Sequence, residues 1–197
     1  KALSALMQDL SPSFIFHLAA QPLVLRSYED PLETFDVNVL GTAHVLEAAR
    51  RVTSVQGVLV ITTDKVYEND EEGVPFKESD PLGASDPYST SKAMAELLAR
   101  SYYTSFFKDR NIALATARAG NVIGGGDFAA NRLIPDIIRS LIAKKPVPLR
   151  NPSMRRPWMH VLDPVFGYVK LASKMLEEPK EYSTAFNFGP DEKTALT

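Results

Sequence analysis

Short runs of branched apolar residues alternate with longer stretches of helical period along most of this chain, and that alternation confines it to few architectures. The runs suit buried strands and the stretches suit helices laid over them, the pattern of βαβ units around a mainly parallel, doubly wound sheet. Strands are predicted at 13–18, 57–62, 112–117 and 185–188. Helices are predicted at 32–52, where Arg50 and Arg51 favour the negative end of the dipole, and at 87–108, 133–143 and 162–176. Pro135 fits only the first turn of its helix, where no N–H donor is needed. The Pro-, Gly- and acid-rich segment 68–86 is a loop long enough to imply a task. Pro146, Pro148, Pro152 and Pro157 then break the chain into short extended pieces. The reading is a partial sheet domain over 1–130, followed over 131–197 mostly by the start of a smaller, more irregular lobe interleaved with it.

Composition narrows the chemistry. A net charge of −2 gives no field to recruit nucleic acid or anionic lipid, so neither is expected as a partner. The absence of cysteine removes disulfides, thiol nucleophiles and thiolate metal sites, and suits a reducing cytoplasm. His17, His44 and His160 show no metal-ligand spacing, so no metal is expected. No apolar run approaches the roughly 20 residues that span a bilayer. The chain opens on Lys1, already in mid-structure, and is expected to be a piece of a longer protein.

Tyr88 and Lys92 stand one helical turn apart near a helix start, on one face. An ammonium there favours tyrosinate, which turns a poor base into one able to take an alcohol's proton while hydride leaves the same carbon. Such a pair also arises by chance, so its surroundings decide. Thr62, Thr63, Asp64 and Lys65 directly follow a predicted strand, at the carboxyl edge where open α/β sheets bind ligands. Taken alone, Thr63 or Asp64 could be a turn or cap residue and Lys65 a solvated lysine. Beside Tyr88 and Lys92 the catalytic reading prevails. Arg150, Arg155 and Arg156 form a local basic cluster whose guanidinium forks suit a diphosphate, against the plainer reading of a solvated loop.

These motifs, with the runs 16–24, 38–42, 61–69, 86–92, 117–127, 132–136 and 150–163, resemble the extended short-chain dehydrogenase/reductase family of nucleotide-sugar enzymes over nearly the whole chain. The resemblance implies a Rossmann-type sheet lacking its first βα units, with part of a substrate-binding lobe. Asp64-Lys65 points to the 4,6-dehydratase branch acting on CDP-glucose, because dTDP-glucose dehydratases carry Asp-Glu there. It further implies NAD as cofactor, a homodimer built on the helices at 32–52 and 87–108, and a supply of deoxysugars for bacterial surface polysaccharide such as O-antigen.

By the same resemblance, an internal redox cycle uses Tyr88 as base, with Thr63 bonding the reacting oxygen. Lys92 lowers the Tyr pKa and grips the nicotinamide ribose. Asp64 and Lys65 serve the elimination as acid and base, with burial expected to neutralise both, and the direction of proton flow between them stays open. Leu18, Ala19, Ala20, Gln21 and Thr62 are expected at the cofactor. Gln21, Asn121, Arg132, Arg150 and Arg156 are expected at the substrate. Asn121 equally suits a cap or turn, His17 a satisfied buried histidine, and Trp158 and His160 the packing of the lobe. Asn38 is expected to act structurally beside the site. None of the ten glycines forms the Gly-x-x-Gly-x-x-Gly fingerprint that holds a cofactor pyrophosphate, so the free polypeptide is expected to bind NAD poorly. Another NAD-dependent nucleotide-sugar dehydratase or epimerase, acting on dTDP-glucose or UDP-N-acetylglucosamine, and a non-catalytic nucleotide-binding relative are the competing readings.

Overall fold

The computed structural model describes residues 2–68, 75–147, 149 and 156–190. In chain order the elements are α1 (Ala2–Leu10), β1 (Phe14–His17), α2 (Val24–Glu29), α3 (Pro31–Phe35), α4 (Gly41–Arg51), β2 (Gly57–Thr63), α5 (Pro87–Tyr102), β3 (Ala113–Ala119), β4 (Asn121–Ile123), α6 (Leu133–Ile142), β5 (Trp158–His160), α7 (Leu162–Glu177) and β6 (Ala185–Phe188). Strands β1, β2, β3 and β6 lie in that order in one sheet, and β4 and β5 form a second. All pairs are parallel, with Phe14 beside Gly57, Thr63 beside Ala119 and Thr116 beside Ala185.

Alternation along the central strands divides the core. Val58, Val60 and Leu114 face Met7, Leu46, Ala49, Ala99 and Phe107, which lie on α1, α4, α5 and the turn after α5. Leu59 and the small row Ala113, Ala115 and Ala117 face Tyr168, Leu171 and Met175 of α7. The result is a sheet with helices on both faces. Small residues let α7 lie close, and Gly167 carries this furthest, because a Cβ there would run into the Phe188 ring. Within 131–197, α7 and β6 therefore return to the sheet rather than standing apart from it. Among the described residues no helix is long and apolar enough to cross a membrane.

Two predicted helices differ in form. The segment 32–52 is not one regular helix, since α3 passes into a π-helical turn at Asp36–Leu40 before α4 begins. The widened turn includes the buried Asn38. The helix predicted at 87–108 ends at Tyr102 and continues through a π turn at Tyr103–Phe107 and a 3₁₀ turn at Lys108–Arg110, closed by left-handed Asn111. Residues 75–86 fold back on the end of β2. Glu68 N–H donates to the Pro81 carbonyl at 3.0 Å and Gly83 N–H to the Val66 carbonyl at 3.0 Å.

Candidate active site

The carboxyl end of β2 runs into a 3₁₀ turn, Asp64–Val66, that Thr63 caps. Thr63 Oγ1 donates to Asp64 Oδ1 at 3.0 Å and accepts from the Lys65 N–H at 3.4 Å. Asp86 caps α5 by accepting from the Ser89 N–H at 3.0 Å, and Pro87 occupies the first helical position. These local rules set Tyr88 in the first turn of α5, opposite the strand end. Its backbone is held on both sides: its N–H donates to Ser27 Oγ at 3.1 Å, and its carbonyl accepts from Ser91 Oγ at 2.7 Å. Asn38 locks the arrangement, donating to Ser91 Oγ at 2.9 Å and to the Gln21 carbonyl at 3.1 Å while accepting from the Gln21 N–H at 2.8 Å.

Tyr88 and Lys92 are 8% and 7% exposed. Lys92 Nζ donates to the Ile61 carbonyl at 3.1 Å. Burial lowers the Lys92 pKa to about 8, with Glu96 opposing the fall. Burial pushes the Tyr88 phenol up to about 12, with the neighbouring Thr63 hydroxyl and the charge of Arg132 opposing the rise. The expected depression of the phenol by Lys92 is thus not found in this state. The desolvation of the phenol dominates, and Lys92 spends its ammonium on a backbone carbonyl.

The burial expected of Asp64 and Lys65 is not found. Lys65 Nζ lies 3.8 Å from Asp64 Oδ1, and the two side chains are 35% and 31% exposed, because the 3₁₀ turn carries them to the rim rather than under the sheet.

A cleft of about 640 Å³ opens over this end of the sheet. Thr63, Lys65 and Tyr88 are among the residues that line it, together with Asn121, Arg132 and Arg156. Asn121 Oδ1 is buried with no hydrogen-bond partner among the described residues. Arg132 reaches Asp127 at 3.3 Å and the Pro22 carbonyl at 3.4 Å. Trp158, expected to pack the lobe, is on the cleft wall. Arg150 and Arg155 lie outside the described residues.

Other predicted residues stand back from the cleft. Leu18 and Ala19 are exposed beyond β1 and Ala20 is half-buried. The side chains of Gln21 and Thr62, expected at cofactor or substrate, are spent on internal partners. Gln21 Nε2 donates to Thr34 Oγ1 at 2.8 Å and to the Leu23 carbonyl at 3.1 Å, and its Oε1 accepts from the Leu23 N–H at 2.6 Å. Thr62 Oγ1 donates to Glu96 at 2.5 Å. His17 is a buried histidine bonded through Nε2 to Thr42 Oγ1 at 3.0 Å.

A buried network went unforeseen. Glu96 and Arg118 pair at 2.9 Å with side chains only 4% and 5% exposed, and breaking such a pair on one side costs about 3–5 kcal/mol. Arg118 continues to Tyr67 Oη at 2.7 Å and the Glu78 carbonyl at 3.2 Å, and Tyr67 donates to Asn187 at 2.6 Å. The available signal was Glu96 standing one turn beyond Lys92 on the same helix face.

An open parallel sheet with helices on both faces, a Tyr-x-x-x-Lys helix start at its carboxyl edge and a cleft above it define the nucleotide-dependent, short-chain dehydrogenase-like class of α/β proteins. The comparisons narrow this: the chain belongs to the NAD dependent epimerase/dehydratase family, whose model matches residues 1–189. It is 47% identical over 194 residues to the CDP-glucose 4,6-dehydratase of Salmonella typhimurium, covering 96% of this chain and 54% of that protein. It is 36% identical over 154 residues to the dTDP-glucose 4,6-dehydratase of Streptomyces griseus, covering 78% of this chain and 45% of that one. The chain therefore spans about half the length of the curated relatives it matches. Among solved structures, the dTDP-glucose 4,6-dehydratase of Streptomyces venezuelae with NAD bound superposes with a TM-score of 0.79 at 26% identity, over 95% of this chain and 54% of that one.

Proposed function

We propose that this chain carries the catalytic residues of a CDP-glucose 4,6-dehydratase, a hydro-lyase converting CDP-glucose to CDP-4-keto-6-deoxyglucose. The observation that carries the reading is the single cleft lined by Thr63, Lys65 and Tyr88 together with Asn121, Arg132 and Arg156, and the identity to the Salmonella enzyme supports the choice of nucleotide.

The residues present fit a nicotinamide nucleotide on one count that geometry can test: Lys92 spends one N–H on Ile61 and has two more for a ribose hydroxyl beside Tyr88. The fingerprint for the pyrophosphate is not among these 197 residues. When bound, NAD supplies the acceptor and later the donor of the hydride. Tyr88 acts as tyrosinate, a form the bound ligands must favour by drawing the phenol down from about 12 and releasing its proton to solvent. It then takes the proton of the sugar's 4-hydroxyl while Thr63 hydrogen-bonds that oxygen. The 4-ketone so formed acidifies the neighbouring C–H. Asp64 and Lys65 at the rim then share the two proton transfers of elimination, one removing the proton at carbon 5 and one protonating the hydroxyl leaving carbon 6. Asn121 Oδ1, buried without a partner among the described residues, accepts from a substrate hydroxyl, and Arg132 and Arg156 meet the diphosphate.

The enzyme so read works in the cytoplasm and feeds deoxysugar synthesis for surface polysaccharide. It pairs as a homodimer through apolar side chains left in solvent near α4 and on α5, among them Leu40, Met94 and Leu97 at 52%, 42% and 54% exposure.

The test is mass spectrometry of CDP-glucose, dTDP-glucose and UDP-N-acetylglucosamine incubated separately with the full-length enzyme and NAD. Loss of one water from CDP-glucose alone is expected. Loss from another sugar nucleotide overturns the specificity, and loss from none overturns the reaction.

A further inference from the structure

We propose that Glu96, neutralised by Arg118, is a positioning residue that fixes the register of the Tyr88–Lys92 helix against the end of β2 and thereby sets the turnover rate. The inference rests on the dehydratase reading. Three consecutive residues of β2 are each placed beside a group of α5. The Ile61 carbonyl accepts from Lys92 at 3.1 Å, Thr62 Oγ1 donates to Glu96 at 2.5 Å, and Thr63 lines the cleft together with Tyr88. The two outer groups react or hold the cofactor, and groups that move protons make poor anchors. The middle one is a carboxylate with no part in that chemistry.

Its orientation is over-determined. Oε1 accepts from Thr62 Oγ1 and from Arg118 Nε at 3.0 Å, and Oε2 accepts from Thr116 Oγ1 at 2.6 Å and from Arg118 Nη2 at 2.9 Å. Four hydrogen bonds in a buried site leave the carboxylate one placement, tied to β2 and β3 together. Arg118 carries the tie to Tyr67, just past the Asp64–Lys65 turn, with its guanidinium 4.9 Å from the ring centre. A sliding helix would pull Tyr88 from Thr63 and Lys92 from Ile61 at once, and ångström-scale misplacement of reacting groups costs rate steeply. The charged groups facing Lys92 are Glu96 from its own helix and, when protonated, His17 from β1.

The test uses the full-length enzyme with T62V, T62S and the double variant E96M/R118M, which removes both charges so that neither is stranded. T62V is expected to lower kcat about tenfold while KM for the nucleotide sugar moves less than about twofold, and T62S to restore kcat. The double variant is expected to lose kcat likewise. An independent readout is the titration of Lys92, followed by carbon-13 NMR of lysine-labelled protein and assigned through Lys92→Arg. It is expected to shift in T62V, which loosens the helix contact without removing a charge, and to return in T62S. Wild-type kcat in T62V, failure of T62S to rescue, or an unmoved Lys92 titration overturns the proposal. If the double variant does not fold, the Thr62 pair decides. If the unaltered enzyme turns over no nucleotide sugar, the dehydratase reading fails and the Lys92 titration decides the positioning role by itself.

Discussion

Acidification from about pH 7 to about pH 4 charges His17 in the unfolded chain before it charges the folded one, and the structure sets the size of the effect. Thr42 Oγ1 spends its single hydrogen on the Asn38 carbonyl at 2.7 Å, so at its 3.0 Å contact with His17 it can only accept. His17 is therefore the Nε2–H tautomer, and its Nδ1 carries the lone pair. Protonating Nδ1 would place a second positive charge in a buried site that already holds Lys92. Burial first, and Lys92 second, lower the pKa from 6.5 to about 4. At about 1.36 kcal/mol per pKa unit the difference amounts to about 3 kcal/mol. The sign follows from which state binds the proton first. Above about pH 6.5 the ring is neutral in both states and this stability is fully present. As pH falls the unfolded chain takes the proton first, so stability declines until the folded ring titrates near pH 4, where the loss is complete. Urea unfolding of the protein and of His17→Gln, whose amide can still donate to Thr42, isolates the term, because carboxylate contributions are common to both. The stability of the protein relative to the variant is expected to fall by about 3 kcal/mol between pH 7 and pH 4. Parallel stability curves over that range would refute the buried neutral imidazole.

Further outcomes follow from the same geometry. Lys65→Ala in the full-length enzyme is expected to oxidise carbon 4 and then stall, leaving reduced cofactor visible in its absorbance band; full dehydration without that signal removes Lys65 from the elimination. Asn121→Ala is expected to raise KM about fivefold with little change in kcat, as the loss of one hydrogen bond dictates; steady-state kinetics with unchanged KM would return Asn121 to a structural role. Gly167→Ala forces its methyl against the Phe188 ring between α7 and β6, and is expected to cost about 1–3 kcal/mol in thermal or urea unfolding. An unaltered midpoint there would mean that α7 shifts freely on the sheet.

The parallel sheet was legible because its central strands, Gly57–Thr63 and Ala113–Ala119, are buried on both faces and so read as apolar runs. The proximity of Thr63 to Tyr88 was legible because one sits at a strand end and the other at a capped helix start, both written in local sequence. Charge states were not. The depth of Tyr88, the exposure of Asp64 and the partner of Lys92 depend on contacts between segments distant in sequence. The π turn at Asp36–Leu40 was equally hidden, since its apolar spacing matches an ordinary helix while its consequence is a tertiary bond from Asn38 to Ser91 across 53 positions. Glu96 stands on a predicted helix and Arg118 one residue past a predicted strand, and only their mutual pairing explains their depth.

The site divides by its access to water. Tyr88, Lys92, Glu96 and Arg118 are each less than a tenth exposed, so the half proposed for the alcohol proton is positioned before any ligand arrives, while the Tyr88 phenol, held up at about 12 by burial, still awaits activation. Asp64 and Lys65 are about a third exposed at 3.8 Å, where solvent screens their attraction and the pair contributes little stability. A weak ion pair at a cleft rim is easily re-partnered. A sugar lying over Thr63 would take over part of that solvation, so the groups proposed for elimination acquire their working environment only with substrate in place. That order suits the chemistry, in which oxidation at carbon 4 must precede loss of water from carbons 5 and 6.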